Sequence, residues 1–179
     1  MLFSTDLFEI NPVSQKDAWS ICDFAVANED RLQRFFPLTL KQNLTPELSH
    51  IFASKKEKEY HNKEEFLFTL KPKDSKRVIG LVYIKELDWT TKQGEFAYAI
   101  SYDFEGKGIM TSSVTFLSDY AFNELGLKTL QIIVYKDNLP SVTVAKKCNF
   151  SWVKTLEKGY TPPNETPLDM ELYELYKEN

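Results

Sequence analysis

The stretch Tyr102-Asp-Phe-Glu-Gly-Lys-Gly-Ile-Met-Thr-Ser-Ser-Val114 decides how this chain folds. A strand-like run, Glu95-Phe-Ala-Tyr-Ala-Ile100, ends just before it, and a long amphipathic segment starts inside it. Gly106 and Gly108 therefore fall at a strand-to-helix corner. Where glycine removes the Cβ, backbone amides can approach a ligand closely. A helix start adds unsatisfied N–H donors and the positive end of the helix dipole. Together these features suit phosphate. The spacing is not the dinucleotide fingerprint, because a third glycine is missing and the corner lies past the middle of the chain. The Gly-Lys-Ser/Thr of a nucleotide P-loop is also missing, which argues against a kinase or ATPase.

Upstream of the corner, three apolar runs are joined by short polar connections. They are Phe66-Leu-Phe-Thr-Leu70, a run from Arg77 to Leu87 centred on Val78–Ile84, and Glu95–Ile100. This pattern predicts an antiparallel meander whose third strand feeds the glycine corner. Downstream, a helix predicted from Lys107 to Glu124 places Met110, Val114, Leu117, Tyr120 or Ala121, and Leu125 about a turn apart, a stripe suited to packing on a sheet. Gly126 stops it, and Thr129–Tyr135 reads as a β-branched strand. The strand–helix–strand order predicts a crossover to a parallel strand. Asp137-Asn-Leu-Pro-Ser141 turns into a short helix ending near Lys147. Strands are predicted over Phe150–Glu157 and Leu168–Tyr176, the last with Met170, Leu172 and Tyr173 inward.

The N-terminal part reads as Leu7–Ile10 strand, then helices. Ser14 with Asp17 resembles a capping box, although Glu or Gln is the usual partner. Ala18, Ile21, Cys22, Ala25 and Val26 then repeat at helical spacing and predict a packed face, so Cys22 needs no chemical role. Phe35-Phe36-Pro37 is a dense apolar corner, read either as core or as the lining of a substrate mouth. Thr45-Pro46-Glu47 starts a further helix through Leu48, Ile51 and Phe52 towards Tyr60. Its charged run, Lys55–Glu59, reads as a solvated face.

A length of 179 residues suits one domain with a sizeable core. A content of 42 % hydrophobic and 27 % charged residues describes ordinary soluble protein rather than disorder. A net charge of -4 gives no general attraction to a nucleic-acid backbone. Cys22 and Cys148 lie in no metal or redox spacing, and His50 and His61 form no ligand set, so a zinc or di-iron enzyme is not expected. The N-terminus has no basic region, and no apolar run approaches the roughly 18 residues of a membrane span. The expected location is the cytoplasm. No repeat or low-complexity linker marks a boundary, so a single domain over residues 1–179 is expected, of α/β class.

The segment Glu105-Gly-Lys-Gly-Ile-Met-Thr111 resembles the acetyl-CoA pyrophosphate loop of the GNAT family of N-acetyltransferases. Asn138-Leu-Pro-Ser141, Val144-Ala145, Lys147 and Asn149-Phe150 resemble the family's second motif, in the version carried by ribosomal-protein acetyltransferases of the RimJ/RimL type. The resemblance is strong from Arg77 to Phe150 and looser through the last strand. It implies a mixed, mostly antiparallel sheet with helices on both faces and a splay between the central parallel strands. Acetyl-CoA is the implied co-substrate, with no metal. The pyrophosphate would rest on backbone N–H groups from Glu105, Gly106, Lys107, Gly108, Ile109, Met110 and Thr111. The pantetheine arm would lie along Tyr98, Ala99, Ile100 and Ser101, with the acetyl carbonyl near the Ile100 N–H, which would stabilise charge developing on oxygen. Asn138 would hold that arm or the helix start.

The chain departs from the usual pattern at three positions. Glu105 stands where Arg or Gln is common and would repel pyrophosphate if it pointed inward, so it is expected to face solvent. Met110 stands where a small residue is common, although the RimL-like branch also carries Met. Ala145 stands where many members place a tyrosine general acid, so Ser141 is the implied replacement, giving a proton to the departing thiolate directly or through water. A local cap is the other reading of Ser141. Lys107 either helps neutralise phosphate or is simply solvated. Glu95 is the first candidate for the base that deprotonates the incoming ammonium, with Glu86 and Asp88 behind it. Its alternative is a sheet-face carboxylate paired with Lys or Arg.

The resemblance implies direct attack by a primary amine, without an acyl-enzyme. Protein N-termini of ribosomal type form one acceptor class; polyamines, amino sugars and antibiotic amines form another. A non-catalytic acyl-CoA-binding domain is a separate reading, kept open by Glu105 and Ala145. Relatives often pair, so a homodimer is an expectation. No nucleic-acid or membrane partner is implied.

Overall fold

The computed structural model describes residues 1–178. Its strands are β1 (Phe3–Ser4), β2 (Phe8–Pro12), β3 (Phe66–Pro72), β4 (Gly80–Asp88), β5 (Gln93–Ile100), β6 (Thr129–Tyr135), β7 (Ser151–Tyr160) and β8 (Leu168–Tyr176). Helices are α1 (Ala18–Ala27), α2 (Glu29–Phe35), α3 (Pro37–Lys41), α4 (Pro46–His61), α5 (Ile109–Asn123) and α6 (Leu139–Lys147). The sheet runs in the order β1-β2-β3-β4-β5-β6-β8-β7. β5 pairs with β6 in parallel, from Gln93 opposite Thr129 to Phe96 opposite Ile132. The β1–β2, β2–β3, β6–β8 and β7–β8 pairs are antiparallel. This is a mixed, mostly antiparallel α/β sheet with flanking helices, and the expected parallel crossover is present. Among the described residues, no helix is long and apolar enough to cross a membrane.

The chain divides into two units, Met1–Tyr83 with Tyr98–Ile109, and Ile84–Ala97 with Met110 onward. In the first unit Ser14 and Asp17 complete a capping box reciprocally, so the shorter Asp carboxylate serves where Glu is usual. Asp17 is buried and also accepts from Lys71 Nζ at 2.6 Å, which ties the helix start to β3. Thr45 caps α4 with Pro46 in its first turn, as the sequence predicts. Ile21, Phe24, Ala25, Leu32, Phe52, Phe66, Phe68 and Leu70 supply the buried core of this unit.

On α1, Ala18, Ile21, Cys22 and Ala25 are buried as expected, and the predicted faces of α1 and α4 differ from the structure at their edges. Val26 is half exposed, and Phe24 takes the buried place instead. On α4 the inward residues are Ser49, Phe52 and Ala53, while Ile51 is exposed. Lys56 is not part of a solvated face: its Nζ lies 2.7 Å from Glu59 and 2.6 Å from Glu65. The ammonium also stands 5.8 Å from the Phe52 ring centre. Packing of the lysine stem places its charge between two carboxylates, a contact that a local charge pattern does not encode. Phe36 and its neighbour Phe35 are half-buried, and the Phe36 ring stacks on Tyr83 at 6.3 Å between centroids. β4 begins at Gly80 rather than Arg77, because the Val78 N–H donates to the Ser20 hydroxyl at 2.6 Å.

In the second unit Val114, Leu117 and Ala121 form the fully buried stripe of α5. Gly126 ends the helix segment with φ at +75°. Leu130, Ile132 and Val134 alternate inward along β6. Met170, Leu172 and Tyr173 of β8 are buried as expected. β7 runs to Tyr160, three residues beyond its expected end, with register irregularities between Trp152 and Lys154 and between Leu156 and Tyr160.

Candidate active site

The loop that opens α5 has the backbone expected of an anion-binding corner. A short 3-10 turn covers Tyr102–Phe104, and Glu105 is extended at φ -65°, ψ 155°. Gly106 and Gly108 then take φ of +69° and +75°, values that side chains with a Cβ adopt only under strain. A Cβ built on either glycine meets nothing within 4 Å, so neither is small to relieve a protein clash. Conformation explains both glycines, and open space lies beside their backbone. Ile109 and Met110 are buried directly after them, and Thr111 is half-buried. Met110 therefore packs the helix start into the core. Lys107 is exposed, with its Nζ 4.9 Å from the Phe104 ring centre.

Glu105 is exposed and is also ion-paired. Its Oε1 lies 2.7 Å from Arg31 Nη2 on α2, and its side chain keeps 40 % exposure. The half-buried guanidinium adds a charge-assisted contact to a glutamate that stays exposed. Arg31 Nη1 also donates to the Ile100 carbonyl at 2.6 Å, and its guanidinium carbon sits 4.0 Å over the Tyr102 ring. Burial opposes the charge of Arg31, but hydrogen bonds to Glu105 and Tyr102 outweigh it and raise its pKa. Asn28 Nδ2 donates to the Ser101 hydroxyl at 3.0 Å. Sequence reading missed Arg31 and Asn28, since each contact spans about seventy residues of chain; the only local hint was an unexplained Glu105.

Along β5, Gly94 and Phe96 are buried and the next buried position is Ala99. Tyr98 and Ile100 are half-buried, and Ser101 is buried. A Cβ on Gly80 would lie 3.0 Å from the Ala99 carbonyl oxygen, so glycine there permits a close strand approach. The Ser101 N–H donates to Ile79 O at 2.8 Å.

Glu95 is the most sheltered of the three candidate carboxylates. Its side chain is 15 % exposed and its Oε1 lies 3.2 Å from Lys85 Nζ. Burial pushes the Glu95 pKa above its ordinary value, Lys85 partly offsets this, and Glu86 adds to the rise. The Lys85 contact meets the sheet-face reading of Glu95, and the raised pKa keeps this carboxylate a candidate base. Glu86 is exposed at φ +49°. Asp88 is exposed, and its Oδ1 accepts from the Thr90 and Thr91 N–H groups at 2.8 and 3.1 Å. Hydrogen bonds from Thr91 and Thr90 hold its pKa below the ordinary value, so Asp88 serves a turn and is a poor base.

Asn138 caps α6, its Oδ1 accepting from the Ser141 N–H at 3.4 Å. Ser141 is half-buried in the first turn of that helix. Ala145 is fully buried on the same helix. Cys148 closes α6 and donates its thiol to Thr111 O at 3.4 Å, which joins the end of α6 to the first turn of α5. Burial raises the Cys148 pKa, and Cys22 is also buried. Neither thiol is placed as an accessible nucleophile. Among the described residues, no group of His, Cys, Asp and Glu could hold a metal ion.

Residues 8–151 match the acetyltransferase (GNAT) domain family. An N-acetyltransferase of Bacillus subtilis named YoaA, itself uncharacterised, is 25 % identical over 178 residues, covering 98 % of this chain and 97 % of the relative. Spermidine N(1)-acetyltransferase of Escherichia coli is 31 % identical over 105 residues, 59 % of this chain and 53 % of the relative. The structure of ribosomal-protein-S5-alanine acetyltransferase from Vibrio fischeri superposes with a TM-score of 0.92 at 20 % identity, covering 99 % of this chain and 97 % of that one. With four-fifths of the chain matched to the family and the glycine corner, parallel crossover and capped α6 all in place, the chain belongs to the GNAT family of acetyltransferases, enzymes whose acetyl donor is acetyl-CoA.

Proposed function

We propose that this chain transfers the acetyl group of acetyl-CoA to a primary amine by direct attack, and that residues 1–179 work as a single domain. The observation that carries the donor half is the loop conformation, with positive φ at Gly106 and Gly108 ahead of the α5 start. In this reading the amides of Glu105, Gly106, Lys107, Gly108, Ile109, Met110 and Thr111 hold the pyrophosphate. The backbone of Tyr98, Ala99, Ile100 and Ser101 guides the pantetheine arm, and the Ile100 N–H meets the acetyl oxygen.

Chemistry then needs a base and an acid. Glu95 takes a proton from the incoming ammonium, directly or through water, which its raised pKa supports. The amine attacks the thioester carbon, a C–N bond forms, the C–S bond breaks, Ser141 delivers a proton to the leaving thiolate, and the proton lost from the acylated nitrogen returns to Ser141 through water. Asn138 holds the α6 start that presents Ser141. Burial of both cysteines supports transfer without an acyl-enzyme. Free cysteines also fit the reducing cytoplasm.

For the acceptor we favour a protein N-terminal amine, on the RimJ/RimL-type form of Asn138–Ser141. A polyamine is the second reading, favoured by identity to spermidine acetyltransferase across 59 % of this chain. A screen of CoA release with peptide N-termini, polyamines and amino sugars side by side tests both. Reaction with peptide termini alone supports the first; reaction with small amines alone replaces it by the second. Acetyl-CoA binding without thiol release from any amine would leave only a non-catalytic binding domain.

A further inference from the structure

The donor-loop reading leaves one charged group unexplained. A carboxylate at the first position of an anion-binding loop opposes its ligand, yet Glu105 stands there. Arg31 meets it with a guanidinium engaged at both Nη atoms, Nη2 on Glu105 Oε1 at 2.7 Å and Nη1 on Ile100 O at 2.6 Å. The Tyr102 ring closes the face of the fork at 4.0 Å. Three residues earlier, Asn28 donates to Ser101 Oγ at 3.0 Å and accepts from the Tyr102 N–H at 3.4 Å. Asn28 is itself fixed by donating to Phe24 O at 2.8 Å. One helix corner therefore grips the segment from Ile100 to Glu105 through side chain and backbone alike. The family pattern puts an Arg or Gln at position 105; here the cation comes from another helix and an acid stands in its place.

We infer that Arg31 is a positioning residue for the acetyl donor: it cancels the Glu105 charge and holds the Ile100 carbonyl, so that an anionic ligand meets a loop whose carboxylate is already neutralised and in place. The inference rests on the reading that the acetyl-CoA pyrophosphate sits on this loop. Arg31 does not itself contact the donor. Its effect passes through Glu105 and the backbone of Ile100.

Calorimetric titration of the full chain with acetyl-CoA tests this. Arg31→Gln leaves Glu105 unpaired and should weaken binding about tenfold at low salt, with the loss shrinking as salt screens the repulsion. Adding Glu105→Gln removes the repelling charge and should bring affinity back to within about threefold of wild type. A residue that only supported the fold would give losses that add, so a double variant no better than Arg31→Gln overturns the inference. Wild-type affinity in Arg31→Gln overturns it as well. Should Arg31→Gln fail to fold by circular dichroism, Glu105→Gln alone carries the test. It leaves Arg31 uncompensated and should tighten binding; a loss greater than about threefold contradicts the charge argument. Gly106→Val separates this from failure of the donor reading, because it should weaken acetyl-CoA whatever Arg31 does. If Gly106→Val binds like wild type, the pyrophosphate lies elsewhere and both fall.

Discussion

Glu95 and Ser141 carry opposite proton tasks in the proposed reaction, and each makes a separate prediction. Ionising Glu95 costs more in the folded chain than in the unfolded one, because burial raises its folded pKa. Stability from this group is therefore full below its unfolded pKa and is lost as pH rises through its folded pKa. Glu95→Gln should melt no lower than wild type at neutral pH, and the two curves should converge in acid. Turnover should fall by about 10²-fold or more, and the rising limb of the rate profile should disappear. A lower melting temperature with unchanged turnover would make Glu95 only the partner of Lys85. Ser141→Ala should cut turnover about 10²-fold while acetyl-CoA affinity stays within about twofold. Equal turnover in the two proteins would leave Ser141 as part of a capped helix turn and nothing more.

Elements that depend on short-range backbone chemistry were legible in the sequence. The helix starts at Ser14 and Thr45 are capped where the sequence places them, because a cap needs only a side chain and an N–H two or three residues on. The glycine corner was legible for the same reason. What escaped was set by packing between distant segments. Val26 and Ile51 carry apolar side chains at helical spacing, yet neighbouring positions take the buried faces. Lys56 looked solvated inside its charge run and is instead held by Glu59 and Glu65. Removing one member of so sheltered a cluster leaves like charges facing each other, so Lys56→Ala should destabilise by about 2–3 kcal/mol. Chemical denaturation at neutral pH measures this, and a change below about 0.5 kcal/mol would return Lys56 to an ordinary surface role. Arg31 escaped because its partners at Ile100 and Glu105 lie about seventy residues away.

For the molecule as a whole, the donor is far better defined than the acceptor. In the proposed reading, donor recognition by backbone amides depends on a loop whose φ angles require glycine, and such a requirement is written in the sequence. Acceptor choice depends on side chains from separate segments, and a net charge of -4 favours a cationic amine without saying which. The central claim is that the Glu105–Thr111 loop holds the pyrophosphate of acetyl-CoA on its backbone. Gly108→Val tests it most directly, since a Cβ there meets no protein atom within 4 Å and the change burdens the fold only through its φ of +75°. That strain should cost about 1–2 kcal/mol and leave a folded chain. Calorimetric titration of folded Gly108→Val with acetyl-CoA should show affinity at least about tenfold below wild type, because the added side chain stands where the ligand must approach the amides. Unchanged affinity would contradict the account.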